Sequence, residues 1–157
     1  MRRRAAPGLA RHPRSRGQAL AEFALVAPVF LLLLFGIVEA GRFIYTYEIL
    51  NNATQEGARY AIVHGSAALC PSGPMPGGAT NPCDPSGAKI QAAVRQYAIA
   101  VLPSSDFVVN PPAWTPNNNA RGSTVTVSMD DTFRTPIPLV PLPPIGIHAE
   151  STLVINH

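Results

Sequence analysis

The sequence predicts an α+β protein in which a long N-terminal membrane-spanning helix continues outside the bilayer and leads into a small extracytoplasmic domain. That domain is expected to hold one helix on a short antiparallel sheet. Three patterns carry this prediction: an apolar run from Ala19 to Val38, a helical period of three and four beyond it, and strict alternation near the C-terminus. The predicted divisions are a basic leader (1–17), a transmembrane helix (18–40), its extracytoplasmic continuation (41–64) and an α+β domain (65–157).

The apolar run has the length of a membrane span. Twenty helical residues extend roughly 30 Å, which matches the hydrocarbon core of a bilayer. Pro28 lies inside the run and should bend the helix, because it removes one backbone hydrogen bond. Gly36 and Ala40 form a small-xxx-small pair that would let a neighbouring helix pack closely, unless the spacing is coincidental.

The distribution of charge predicts the orientation of the span. Of the 12 basic residues, six arginines precede the apolar run, whereas the part that follows is net acidic. By the positive-inside rule the N-terminus stays in the cytoplasm and the C-terminal part lies outside, so the chain crosses the cytoplasmic (inner) membrane once. The basic cluster is therefore interpreted as the cytoplasmic flank of the span, the lipid bilayer is a predicted partner of the chain, and nucleic-acid binding is not predicted.

Two amphipathic helices are predicted outside the membrane. The first continues the span as far as the stop signal His64-Gly65-Ser66, with one face formed by Phe43, Tyr47, Leu50, Thr54, Ala58 and Ala61. Within it, Gly57 is a poor helix residue, which suggests that another element approaches closely there. The second lies within 86–103, with Ile90, Val94, Tyr97 and Val101 on one face.

Strands are predicted to follow the second helix. The stretch 106–110 reads as a short strand, and 123–133 alternates with Val125, Val127 and Met129 facing inward. The proline-rich stretch 135–146 reads as an extended connection. The last strand, within 147–155, places Ile147, Ala149, Leu153 and Ile155 on one side.

Cys70 and Cys83 are predicted to form a disulfide, because both lie in the extracytoplasmic part, where disulfides persist. The Gly/Pro-rich segment between them has too few apolar residues to pack by itself. Closing a loop of this length is worth about 3 kcal/mol in the chain-entropy treatment. Free thiols, or a metal site that includes His64, are the alternatives, but the spacing is not that of paired metal ligands.

The sequence favours a non-enzymatic protein without a cofactor or metal. It contains none of the common nucleophile-elbow, phosphate-loop or zinc-protease motifs. Asp130 and Asp131 are neighbours on a predicted strand, so their side chains point to opposite faces. We interpret the pair as a bulge or a solvated strand end.

The stretch before and after the span resembles a known processing signature. Gly17 follows basic residues, Glu22-Phe23 opens the apolar helix, and Pro28, Gly36, Gly41-Arg42 and the block "EGARY" at 56–60 follow in order. This arrangement resembles the TadE-like pseudopilins of the tight adherence (Tad) secretion and pilus system. The resemblance covers residues 16–61. It implies a pilin-like structural or assembly component that supports Flp-type pilus biogenesis, adherence and biofilm formation.

The resemblance also implies partners and roles for particular residues. A prepilin-type peptidase would cut between Gly17 and Gln18 on the cytoplasmic side, leaving Glu22 as the fifth residue of the mature chain. The new ammonium group of Gln18 would pair with Glu22 of another pilin-like subunit, because an unpaired charge in a low-dielectric surrounding is costly.

Two other interpretations remain open at this point. The N-terminus could be an ordinary secretory signal cut before Gly41, which would release a soluble binding protein. Alternatively, an uncleaved anchor could present an extracytoplasmic interaction domain. In both of these cases Glu22 would only mark the edge of the apolar run.

Overall fold

The computed structural model describes residues 16–81, 83–100, 102, 107–135 and 143–156. The helices are α1 (Arg16–Val63) and α2 (Ala88–Ile99), with a short 3-10 turn at Pro76–Gly78 between them. The strands are β1 (Val108–Val109), β2 (Ala113–Thr115), β3 (Thr124–Phe133) and β4 (Ile145–Val154). The chain forms two compact units that divide within α1, between Val38 and Glu39.

Strand β3 is the centre of a four-stranded antiparallel sheet. Strand β4 pairs with it over all ten residues, from Thr124↔Val154 to Phe133↔Ile145. Strands β1 and β2 share the other edge of β3, and their registers differ by one residue, since Val109 faces Met129 but Ala113 faces Thr126. The short segment between β1 and β2 thus contains one extra residue and interrupts that edge.

The core of the second unit lies between the inner face of the sheet and the two helices. The inward side chains Val125, Val127 and Met129 are fully buried, as their alternation predicts. They meet Leu50 of α1 and Val94 of α2 in one continuous cluster. Phe43 adds an edge-to-face contact with Phe133, the ring centroids lying 5.4 Å apart.

The predicted helix faces are correct except at two tyrosines. Tyr47 and Tyr97 are 44% and 42% exposed, and the buried positions directly beside them belong to the smaller residues Thr46 and Ala98. Small side chains let the helices approach the sheet closely, and a tyrosine at that depth would hold them apart. Val101, the other residue predicted for the α2 face, lies outside the described residues.

The predicted fold class is confirmed: a long apolar N-terminal helix precedes a small domain with one short helix and an antiparallel sheet. The predicted strand at 106–110 is β1, reduced to two residues. Strand β2 was not predicted, because the prolines around it conceal a strand pattern. Most of the predicted extended connection, 136–142, lies outside the described residues.

Candidate functional site

The N-terminal part of α1 presents apolar side chains outward. From Phe23 to Val38 the large apolar residues are between 41% and 77% exposed. The helix continues through Pro28 without interruption. It is long and apolar enough to form one membrane span close to the N-terminus.

Glu22 is the one carboxylate in this surface. Its Oε1 accepts a hydrogen bond from Nε2 of Gln18, 3.2 Å away and one helical turn earlier. The flanking Leu20 and Phe23 are exposed. The carboxylate is therefore held on an apolar helix surface by a neutral side chain of its own helix.

Most of the small residues singled out in α1 stand in open space. A Cβ added at Gly17, Gly36 or Gly41 would meet no heavy atom of the described chain within 4 Å. Ala40 and Pro28 are also exposed. Gly57 differs from all of these.

Gly57 lies where α1 packs tightly against α2 and β3. A Cβ built there would overlap Cγ2 of Val94 in α2 and would lie 3.1 Å from Cγ1 of Val127 in β3. The element that approaches Gly57 is thus part of the same chain. Only a residue without a side chain allows α1, α2 and the sheet to meet at this point.

The predicted disulfide between Cys70 and Cys83 is confirmed, with a Cα–Cα distance of 5.5 Å. The free-thiol and metal-site alternatives for these cysteines were therefore wrong. His64 packs elsewhere: its ring stacks on Tyr60, and its Nδ1 lies 2.8 Å from the Tyr60 carbonyl oxygen.

Asn81 organises the disulfide loop from inside. Its buried amide donates to the carbonyl oxygens of Pro71, Gly73 and Asp84, and its Oδ1 accepts from the backbone N–H groups of Cys83 and Asp84. The carboxylate of Asp84 in turn accepts hydrogen bonds from Ala88 and Lys89, at 2.8 and 3.0 Å, and so stabilises the start of α2. Sequence reasoning missed this arrangement, although Asn-Pro at 81–82 is a common turn signal.

Trp114 of β2 covers the same loop. Gly73 and Gly87 both have positive φ, at 93° and 74°, and a Cβ at either would overlap the indole ring. The tryptophan therefore packs directly on two stretches of backbone and fixes the loop and the start of α2 against the sheet.

A polar cluster lies on the outer face of the sheet. Asp130 Oδ1 is 2.7 Å from Nδ1 of His148, and its Oδ2 accepts a 2.6 Å hydrogen bond from Nδ2 of Asn110. The amide of Asn110 and then the imidazole lower the pKa of Asp130. The hydrogen bond to Asp130 raises the pKa of His148, and Glu150, 3.8 Å from Nε2, adds to this.

The interpretation of Asp130 and Asp131 as a bulge or solvated end is corrected by this geometry. The pairing of β3 with β4 runs without a break through both residues, and Asp130 stands opposite His148. The alternation of β4 places His148 on the outer face, but the partner in register could not be read from the sequence.

An open depression of about 420 Å³ lies beside the disulfide loop, lined by residues that include Met75, Thr80, Asn117 and Asn118. Among the described residues, no group of three or more His, Cys, Asp and Glu side chains is placed to hold a metal ion.

These features define a class of protein in which an exposed apolar helix of membrane-spanning length leads into a small α+β domain. A disulfide closes one loop of that domain. Residues 17–59, which lie within α1, match the family of TadE-like proteins. The predicted TadE-like assignment is thereby confirmed for this segment, a little over a quarter of the chain. No curated protein and no solved structure matches the chain significantly. The TadE-like segment points to involvement in Tad/Flp pilus systems.

Proposed function

We propose that this chain is a pilin-like, non-enzymatic subunit of a Tad apparatus, with a structural or assembly role in making Flp-type pili for adherence and biofilm formation. The observation that carries the proposal is the TadE-like match over 17–59, which includes both the apolar helix and the Gly57 block. Other pilin-like subunits and a prepilin-type peptidase are the partners that this role requires.

The exposed apolar helix supports the anchoring part of the proposal. Side chains such as Leu25 and Phe30 are 77% and 57% exposed, and water contact with so much apolar surface is unfavourable. Lipid, or the helices of other subunits, would cover it. We propose the cytoplasmic membrane as its location, with the arginine-rich N-terminus inside and residues 41–157 outside.

Glu22 supports the assembly part of the proposal. A carboxylate on an apolar helix is costly in a bilayer and is stabilised by a cation. The neutral Gln18 side chain that contacts it in the single chain supplies no charge. After cleavage, the ammonium group of Gln18 on a neighbouring subunit would supply the positive charge. Glu22 would then favour neighbouring subunits whose N-terminus lies beside it.

Replacing Glu22 tests this function. In cells that lack the wild-type chain, Glu22→Ala protein should reach the membrane at normal levels, since removing a charge favours insertion, but it should fail to restore pili and surface adherence. Glu48→Ala is the matched control, because Glu48 is an exposed carboxylate outside the predicted span, and this variant should restore both. Normal piliation with Glu22→Ala would contradict the charge-pairing role.

If deletion of the whole chain also leaves piliation and adherence intact, the pilus function itself is wrong. The chain would then be better described as an anchored or secreted interaction protein. Measuring piliation and adherence in the deletion strain alongside the Glu22→Ala variant distinguishes a wrong charge-pairing role from a wrong pilus function.

A further inference from the structure

We propose that a second copy of this chain docks on the edge of β4 that faces away from β3, with the two β4 strands antiparallel and His148 of each copy opposite Glu150 of the other. This interaction would join two exterior domains into one continuous sheet. It is independent of the charge pairing of Glu22 and goes beyond the proposed pilus function.

The first argument is the direction of the backbone groups of β4. Ile155 donates its N–H to the Ser123 carbonyl oxygen on the β3 side, at 2.8 Å. Because these groups alternate along a strand, the N–H and C=O groups of residues 146, 148, 150, 152 and 154 point away from β3. Within the described part of the chain, β4 pairs with β3 and with no other strand.

The second argument is the contrast between the two edges of the sheet. The edge formed by β1 and β2 is interrupted and contains or adjoins Pro111, Pro112 and Pro116, which cannot donate to a new strand. Strand β4 has ten residues with neither proline nor lysine. Proteins commonly protect edge strands with these residues, so the β4 edge has the features of a pairing surface.

The third argument fixes both the occupant and the register. The side chains of His148 and Glu150 lie on the outer face and are 55% and 63% exposed. In a two-fold antiparallel pair centred on Ala149, each His148 stands opposite a Glu150, and the open-edge backbone groups of both copies face each other. Moving the axis by one residue would oppose His148 to His148 or Glu150 to Glu150, and like charges directly opposite are unfavourable.

The self-complementary pattern therefore favours a second copy over an unrelated strand. The paired region would form about eight backbone hydrogen bonds, two for each of its four hydrogen-bonded residue pairs. The two-fold symmetry gives both copies the same contacts, as in most homodimers.

Cysteine cross-linking of the full-length protein in its membrane tests the register. The proposed axis brings Gly146 of one copy opposite Thr152 of the other, whereas the two positions are about 20 Å apart within one strand. Both residues are exposed, and a side chain at Gly146 would meet no heavy atom of the described chain within 4 Å. Mild oxidation of Gly146→Cys/Thr152→Cys should give a covalent dimer that reductant separates, and each single variant should give no covalent dimer.

Three further variants, all at Glu150, test the charge and backbone parts of the proposal in the same double-cysteine protein. Glu150→Lys should abolish the cross-link, because lysine would face His148, while Glu150→Gln should retain more of it. Glu150→Pro should also abolish it, since the lost N–H lies on the open edge and not in the β3 ladder.

The dimer is wrong if the double-cysteine protein remains monomeric while its Cys70–Cys83 disulfide is intact. It is also wrong if the single variants cross-link equally well, because random collision would then explain the product. Cross-linking to another protein in place of a second copy would likewise overturn it.

Discussion

At the scale of single residues, the contact between Asp130 and His148 links two strands on a solvent-exposed face. Asn110 holds the second oxygen of the carboxylate, so both of its oxygens are engaged. Both side chains are about half exposed, so solvent screens the ion pair and its stabilising energy is small. Its pH dependence is the property that can be measured.

The first prediction concerns this pH dependence. The lowered pKa of Asp130 adds stability above its ordinary value near 3.8, which is lost as pH falls through the lowered pKa. The raised pKa of His148 adds stability below its ordinary value near 6.5, which is lost as pH rises through the raised pKa. The contribution of the pair should therefore be complete between these two ordinary values and should decline on either side.

An NMR titration of the His148 ring tests the interaction directly. The pKa of His148 should be above 6.5 in the wild-type protein and should fall towards that value in Asp130→Asn. Asp131→Asn is the control, because its side chain points to the other face of β3, and it should leave the His148 titration unchanged. An unshifted titration in Asp130→Asn would show that the contact is not formed in solution.

At the scale of elements, Gly57 sets the distance between α1, α2 and β3. We predict that Gly57→Ala lowers the unfolding temperature of the full-length protein, although alanine is the better helix former by about 1 kcal/mol. Its new methyl group must displace the side chain of Val94 and crowd Val127, and overpacking of this kind costs about 1–3 kcal/mol.

Two variants make the Gly57 prediction specific. Gly41→Ala lies in the same helix with open space around it, so it should be neutral or stabilising. Val94→Ala should remove much of the effect of Gly57→Ala, because the two sites are in contact and their changes are not additive. Equal effects of Gly41→Ala and Gly57→Ala would rule out the packing explanation.

What the sequence could predict at this scale depended on local periodicity. Val125, Val127 and Met129 were placed correctly because alternation is a property of one strand. Strand β2 was missed because its three residues lie between prolines. The Asp130–His148 contact was missed because it depends on how β3 and β4 align across the connection between them, which no local pattern records.

At the scale of the whole molecule, N-terminal processing decides which form of the chain lies in the membrane. If the TadE-like segment is processed as in pseudopilins, cleavage after Gly17 removes six arginines and leaves the apolar helix in place. The mature chain then begins at Gln18 with a new ammonium group. An ordinary secretory signal would instead give a soluble chain beginning near Gly41, and a simple anchor would retain residues 1–17.

Intact-mass measurement of the membrane and soluble fractions distinguishes the three products, because each lacks a different number of N-terminal residues. We predict a membrane-bound chain that begins at Gln18. Gly17→Leu should retain the leader, since a bulky side chain blocks the close approach of the peptidase to an extended backbone. Gly36→Ala is the control, because it also replaces a glycine of α1 in open space but lies away from the cut, so it should be processed normally. A Gly17→Leu chain that still begins at Gln18 would exclude cleavage that depends on this glycine, and a soluble product beginning near Gly41 would exclude anchoring through α1.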